Sequence, residues 1–378
     1  MTAPLIVLAA GGTGGHMFPA EALARALLDR GAKVALVTDS RGQAFSLPDV
    51  QTYRIRASRL RRDMLDRLRA VVEMGIGGLE ARRRLRDLRP AAVVGFGGYP
   101  SLPTVLAASL AKIPIVLHEQ NALLGRANRR LAARARVIAT SFESVARLPP
   151  GARTVLTGNP VRPGIIAVRE RPYRAPDPGA RLSILVIGGS QGARIFSEVV
   201  PAAVALLPQA ARARLSIVQQ CRPEDIDAVR AAFGEIGVEA ELSSFFADMP
   251  ERLAAAQLVI SRSGASSVAE LGVAGRPAIL APYPFATDDH QTANAEAFAR
   301  NGAASIIAQR AFTPILLAER LSAALADPQA LAHAASQAHR NGRPDAAQRL
   351  ADLTLAQIGN ADSLDDLMPA CIYRGAAA

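Results

Sequence analysis

The sequence predicts an α/β chain of two doubly wound units in tandem, and three observations predict it. An apolar run followed by a glycine loop occurs twice, and the two loops begin 177 residues apart, at Gly11 and at Gly188. Strands alternate with helices in each half, which implies parallel sheets covered on both faces. Between the halves the periodicity stops at Gly158-Asn159-Pro160-Val161-Arg162-Pro163-Gly164, a stretch of turn formers that reads as a linker.

Taken in order, Leu5 to Ala10 is a continuous apolar run, as in a strand buried on both faces. Gly11-Gly12-Thr13-Gly14-Gly15-His16 follows, and a helix opens near Pro19, a residue suited to a first helical turn. Leu23, Ala26 and Leu27 share one face, Gly31 suits a C-cap, and Lys33 to Thr38 is the next strand. Ala91 to Gly95 reads as a strand ending in glycines and Thr104 to Ala111 as a helix. Ile113 to Leu117 is a strand running into His118-Glu119-Gln120-Asn121, and Val137 to Ala139 is a short strand. Residues 169–180, rich in Pro and Arg, read as a surface loop.

The second half opens with the strand Leu182 to Ile187, the loop Gly188-Gly189-Ser190-Gln191-Gly192-Ala193 and a helix. Leu215 to Val218 and Leu258 to Ile260 are strands. Ser261-Arg262-Ser263-Gly264 then leads into a helix from about Ala265, and Ala278 to Ala281 is a strand. Asp345 to Ile358 is an amphipathic helix with Leu350 and Leu353 on one face. Beyond Asn360 the tail reads as poorly ordered. The expected division is therefore 1–162, 163–344, a helix at 345–358 packing back toward the first domain, and a tail at 359–378. Doubly wound sheets bind ligands at the carboxyl ends of strands where the strand order reverses, so a cleft between two facing units is expected.

At 378 residues the chain has room for two to three domains, and with half its residues apolar and 20% charged it is not a disordered chain. Cys221 and Cys371 form no disulfide framework and no metal spacing, which suits a reducing compartment. The apolar stretch Leu102 to Leu117 is interrupted by Pro103, Lys112 and Pro114, so no segment is expected to cross a bilayer. The formal net charge of +11 is unevenly spread. Residues 1–162 hold 25 Lys and Arg against 11 Asp and Glu, whereas the remainder holds 19 against 22. Such a basic region attracts nucleic acid, anionic lipid or a phosphorylated substrate, and composition does not choose among them.

Several groups can carry chemistry. Four glycines in the five positions 11–15 exceed what a tight turn needs, and they let backbone N–H groups approach a phosphate at a helix N-terminus. Neither glycine loop fits the dinucleotide fingerprint or the P-loop. His16 can remove a proton from a hydroxyl near neutral pH, though a capping or packing histidine would occupy the same place. Four polar residues at 118–121 close a buried strand, and at least one is expected to face the cleft. The helix start at 265–270 suits a diphosphate, with Glu270 placed to accept from a ribose or to stabilise the helix dipole. Asp288-Asp289-His290-Gln291-Thr292-Ala293-Asn294 offers partners for sugar hydroxyls. Nothing calls for a metal.

In chain order, the segments at 11–20, 118–121, 158–162, 188–193, 261–265 and the His290-Gln291-x-x-Asn294 pattern closely resemble the MurG family of bacterial peptidoglycan N-acetylglucosaminyltransferases, over about residues 5 to 358. The resemblance implies a GT-B fold, two Rossmann-like domains around a cleft. It implies inverting transfer of N-acetylglucosamine from UDP-N-acetylglucosamine to the 4-hydroxyl of the muramoyl sugar of lipid I, giving lipid II. It places the enzyme peripherally on the cytoplasmic face of the bacterial inner membrane, with no cofactor and no bound metal, and makes other cell-wall synthesis and division proteins candidate partners. It implies that Thr13, Gly14 and Gly15 line a diphosphate region, that Asn121 touches the donor sugar and that Arg162 approaches the nucleotide. Ser190 would hold donor phosphate and the backbone of Phe246 would read uracil. Ala265, Ser266, Ser267, Val268, Ala269 and Glu270 would bind phosphate and ribose, and Gln291 and Asn294 the sugar. His16 becomes the leading general base, with Glu119 as runner-up.

Other readings carry their own expectations. A GT-B transferase for another acceptor, or a UDP-sugar epimerase, would share the fold. A nicotinamide oxidoreductase would use Asp39 on a ribose, but the failed glycine fingerprint opposes it. A nucleic-acid binder is opposed by an aromatic content of 4% and the absence of Trp, which leave few stacking platforms. The densest basic segment, Arg56 to Arg89, has 11 arginines and five acids with apolar residues between them. It reads as a face that docks on anionic lipid, or as an amphipathic helix pair with a solvated basic side.

Overall fold

The computed structural model describes residues 3–11, 14–40, 42, 45, 47–57, 64–189, 192–358 and 372–374, with the backbone alone for 64–69 and 372–374. The chain forms two compact units, residues 1–162 with 343–378, and residues 163–342.

The first unit runs β1 (Leu5–Ala9), α1 (Gly14–Asp29), β2 (Lys33–Thr38), β3 (Gln51–Arg54), α2 (Met64–Leu88), β4 (Ala92–Gly95), α3 (Gly98–Leu110), β5 (Ile115–Glu119), α4 (Arg126–Leu131), β6 (Val137–Thr140) and β7 (Arg153–Leu156). The second unit follows with α5 (Pro163–Arg169), β8 (Leu182–Ile187), α6 (Arg194–Ala205), α7 (Gln209–Arg212), β9 (Leu215–Gln220), α8 (Ile226–Glu235), β10 (Ala240–Ser243), α9 (Met249–Ala255), β11 (Leu258–Ser261), α10 (Ala265–Ala274), β12 (Ala278–Leu280), α11 (His290–Ala299), β13 (Ala304–Ile306), α12 (Pro314–Ala326) and α13 (Pro328–Asn341). The chain then adds α14 (Ala346–Ala356) and β14 (Ile372–Arg374) to the first unit.

The first sheet has the order β14-β7-β6-β5-β4-β1-β2-β3. All its pairings are parallel except that of β14 with β7. The chain leaves β1 toward β2 and β3, then crosses to β4 on the other side, so the strand order reverses between β1 and β4. Alternation along β1 divides two cores. Ile6 and Leu8 pack with Leu23 and Leu27 of α1 and with Leu350 and Leu353 of α14. Val7 and Ala9 pack with Leu85 of α2 and Val105 of α3. Leu350 and Leu353 of α14 are buried in this core, and each buried leucine contributes ~1.5–3 kcal/mol.

The second sheet is wholly parallel, in the order β10-β9-β8-β11-β12-β13, and reverses between β8 and β11. Its core joins Ile184 and Val186 of β8 to Phe196 and Val200 of α6 and to Leu317 and Leu321 of α12.

Some elements differ from the sequence expectation. Helix α1 begins at Gly14, and Pro19 lies inside it. The missing N–H there forfeits only the bond to the Gly15 carbonyl, within a first turn rich in glycine. Strand β5 includes His118 and Glu119, because their backbones pair with Ala139 and Thr140 while their polar atoms find partners nearby. The tail, expected to be without order, contributes β14, whose Ile372 to Arg374 pair antiparallel with Val155 to Arg153. Three residues are too few to show a period.

Candidate functional site

In the first unit, α1 and α3 both start at the carboxyl ends of the diverging strands β1 and β4. Gly97 and Gly98 take left-handed φ angles of 77° and 72°. A Cβ on Gly97 would stand 3.2 Å from Asn128 Nδ2, and one on Gly98 would stand 3.4 Å from Nε2 of His16. Two glycines therefore let this loop turn tightly against the His16 ring.

His16 is half-buried in the first turn of α1, and its Nδ1 lies 3.1 Å from Oε1 of Gln120. Gln120 is buried, with Nε2 at 3.1 Å from the carbonyl oxygens of both Phe96 and His118 and at 2.9 Å from His118 Nδ1. His118 in turn places Nε2 3.1 Å from the Gly158 carbonyl, and its ring tilts on that of Phe96 with centroids 5.4 Å apart. Burial pulls the His118 pKa down to about 4, against the opposing Gly158 hydrogen bond and with help from nearby His16.

Glu119 is only 1% exposed. Its Oε1 accepts from the backbone N–H and the side-chain amide of Asn121, both at 3.0 Å. Its Oε2 accepts from Gly125 N at 2.9 Å and Asn128 Nδ2 at 2.8 Å. A general base must offer a lone pair to the substrate, and this carboxylate commits four acceptor sites to the loop 121–128. Of the four polar residues at 118–121, three are buried and Asn121 is half-buried. Arg162 stacks its guanidinium 5.6 Å from the Phe18 ring, so it shares the α1 side of the unit with Gly14, Gly15 and His16. Thr13 lies outside the described residues.

In the second unit the loop after β8 needs its glycines. A Cβ at Gly188 would collide with the backbone of Gly192 and Ala193, and Gly192 has φ 68°. Ser190 lies outside the described residues. After β11, Arg262 is buried between the rings of Phe196 and Tyr283, at 5.2 and 5.4 Å. It donates to the carbonyls of Ala281 and Pro282 and to Gln309 Oε1. Desolvation pulls its pKa below the usual guanidinium value. Ser263 Oγ donates to the Gln291 carbonyl at 2.8 Å, and Asn294 Nδ2 donates to the Ser263 carbonyl at 3.0 Å. Gln291 Oε1 accepts from Tyr283 N at 3.0 Å. The residues at 261–264 and 291–294 are thus drawn together.

Helix α10 starts after Gly264, which is extended and supplies no side-chain cap. Its leading N–H groups at Ala265, Ser266 and Ser267 precede the first intrahelical bond, from Val268 N to the Gly264 carbonyl at 3.0 Å. The buried Oγ of Ser266 has no hydrogen-bond partner among the described residues. An N-terminus of this kind is suited to an anion. Glu270 is half-buried in the second turn of α10. Phe246, after β10, is buried under the Arg252 guanidinium at 5.0 Å.

Val268, Ala269 and Asn294 are set differently from the residues that open α10. Val268 is buried in the core and its N–H is used within the helix, and the N–H of Ala269 lies beyond the leading turn. Asn294 is wholly buried, and its amide holds the Ser263 loop instead of facing outward. The sequence alone does not mark Gln120, Asn128, Arg262 and Ser263 as site residues. Gln120 and Ser263 each stand just past a strand end, whereas Asn128 sits in α4 with no local signal.

Two family models match this chain, the glycosyltransferase family 28 N-terminal domain over residues 6–140 and the family's C-terminal domain over residues 183–350. A protein of Rhodospirillum centenum is 58% identical over 367 residues, covering 96% of this chain and 97% of its own. It is named UDP-N-acetylglucosamine–N-acetylmuramyl-(pentapeptide) pyrophosphoryl-undecaprenol N-acetylglucosamine transferase. The crystal structure of Acinetobacter baumannii MurG matches with a TM-score of 0.77 at 32% identity, covering 93% of this chain and 99% of that one. The UDP-GlcNAc 2-epimerase of Neisseria meningitidis matches with a TM-score of 0.65 at 14% identity, a likeness of fold alone.

Proposed function

Because the chain belongs to glycosyltransferase family 28 and within it to the MurG transferases, we propose that it transfers N-acetylglucosamine from UDP-N-acetylglucosamine to lipid I, the undecaprenyl-pyrophosphoryl N-acetylmuramyl-pentapeptide, giving lipid II. The observation that carries this reading is the 58% identity, across 96% of the chain, to a transferase of that name.

The site suggests how the chemistry divides. In the second unit the uncapped start of α10 offers the N–H groups of Ala265, Ser266 and Ser267, with Ser266 Oγ, to the donor diphosphate. Glu270 accepts from the ribose, Gln291 meets the sugar, and the backbone at Phe246 reads the uracil. Ser190 adds a further phosphate contact. As the bond from the anomeric carbon to the diphosphate oxygen breaks, charge grows on the β-phosphate, and preorganised N–H donors stabilise it. In the first unit His16 takes the proton of the acceptor's 4-hydroxyl as that oxygen bonds the anomeric carbon, with inversion. Gly14 and Gly15 with Thr13 line the diphosphate region of the same unit, Asn121 contacts the sugar and Arg162 the nucleotide. His16, and not Glu119, is the base in this account.

The enzyme works as a peripheral protein on the cytoplasmic face of the membrane. No helix among the described residues is long and apolar enough to cross a bilayer. On α2 and α3, however, Val71, Val72, Leu79 and Leu110 are exposed, Leu110 by 77%. Arg82, Arg83, Arg84 and Arg86 are exposed on the same α2. Exposed apolar residues and exposed arginines on one helix suit an anionic lipid surface.

His16→Ala tests the assignment. Turnover of a lipid I analogue should fall by ~10²–10⁴-fold while UDP binding, measured by calorimetry, is unchanged. Near-normal turnover would sink His16 as the base.

A further inference from the structure

The hydrogen bonds around His16 have a single consistent direction. Gln120 Nε2 faces two carbonyl oxygens, those of Phe96 and His118. An amide oxygen could not sit there, so this atom is the NH2 and Oε1 is the acceptor. The atom 3.1 Å from Oε1 is His16 Nδ1, which must carry a hydrogen to bond it. A neutral His16 so held keeps its lone pair on Nε2, the edge that borders Gly98.

The other end of the chain of bonds agrees. His118 Nδ1 lies 2.9 Å from the same NH2 group, whose nitrogen offers no acceptor lone pair, so Nδ1 is the unprotonated nitrogen and shares that group's two hydrogens with the carbonyls of Phe96 and His118. Its Nε2 then carries the hydrogen and donates to the Gly158 carbonyl at 3.1 Å. Full burial keeps this imidazole neutral, with its pKa near 4, so the arrangement persists at neutral pH. From Gly158 outward, each group is fixed by the one before it.

We propose that Gln120 is a positioning residue that holds His16 in the Nδ1–H tautomer and so presents Nε2 as the basic atom, with His118 fixing the orientation of the Gln120 amide. The proposal rests on His16 being the base of the transfer reaction. Gln120 does for His16 what an orienting acceptor does in a catalytic triad, without a carboxylate. A carboxylate in its place would raise the imidazole pKa, whereas the amide carries no charge. The neutral amide orients the ring through Oε1.

The test uses the full chain with 15N-labelled histidines, His16 being assigned by the signal lost in His16→Gln. Long-range 1H–15N correlation at pH 7.5 should show His16 with Nδ1 protonated and Nε2 bare. Observation of the Nε2–H tautomer in the unaltered protein would overturn the proposal, and no variant has to fold for that result. In Gln120→Met the tautomer should shift toward Nε2–H, with kcat lowered by about 10²-fold and the KM for UDP-N-acetylglucosamine unchanged. A fall in kcat with the tautomer unaltered would also overturn it, since that outcome marks general disruption. If His16→Ala retains turnover while the tautomer is as stated, the base assignment fails and the positioning geometry stands.

Discussion

Burial holds the His118 imidazole neutral down to about pH 4, and that has a consequence for stability. Its folded-state pKa lies below the ordinary 6.5, so the unfolded chain takes up a proton more readily. The stabilisation is complete above about pH 6.5 and is lost as pH falls toward 4, about 3 kcal/mol in all. Denaturant titrations at pH 7.5 and 4.5 should show His118→Gln losing less stability over that interval than the unaltered chain. An equal loss would remove His118 as the cause. Two residues away, Gln120 shows why single-residue roles were hard to read from sequence. Its amide is oriented by Phe96 and His118 and acts on His16, 104 positions earlier. Glu119 is the converse case. A carboxylate at a strand end looks catalytic in sequence, and only the donors from Asn121, Gly125 and Asn128 reveal that it anchors a loop.

At the scale of elements, the start of α10 carries the donor side of the account. Gly264 leaves this N-terminus uncapped, and a Cβ there would meet nothing closer than Ser267 Oγ at 3.9 Å. Gly264→Asp therefore fits, and its carboxylate would take the N–H groups that a diphosphate needs. Thermal stability should hold or rise slightly while UDP affinity falls by about 10-fold or more, or ~1.4 kcal/mol. Unchanged UDP affinity in calorimetry would place the diphosphate elsewhere. The strands that build these sites were largely legible, because β1, β2, β8 and β11 are apolar runs buried on both faces. The helix at Ala265 was legible from its glycine turn. What escaped were elements without a clean period. Helix α1 starts in a run of glycines, β5 ends in buried polar residues, and β14 is three residues long. In each case tertiary partners, and not local propensity, set the boundary.

Across the whole molecule, the charge divides as the proposed roles do. The first 162 residues carry a net +14 and the rest a net −3. The exposed arginines of α2 lie beside exposed Val72 and Leu79, and each arginine near an anionic surface is worth ~1 kcal/mol, screened by salt. Replacing Arg82, Arg83 and Arg86 together by Glu should reduce sedimentation with anionic liposomes and make the remainder insensitive to salt. Turnover of a water-soluble lipid I analogue should stay near normal. Liposome binding that depends on neither anionic lipid nor salt would rule out this surface. The transfer activity is tested most directly by giving the protein UDP-N-acetylglucosamine labelled in the sugar together with a lipid I analogue. The label should pass to the acceptor as a β-linked disaccharide, with one UDP released for each product. Release of UDP with free or epimerised sugar and no labelled acceptor would contradict it.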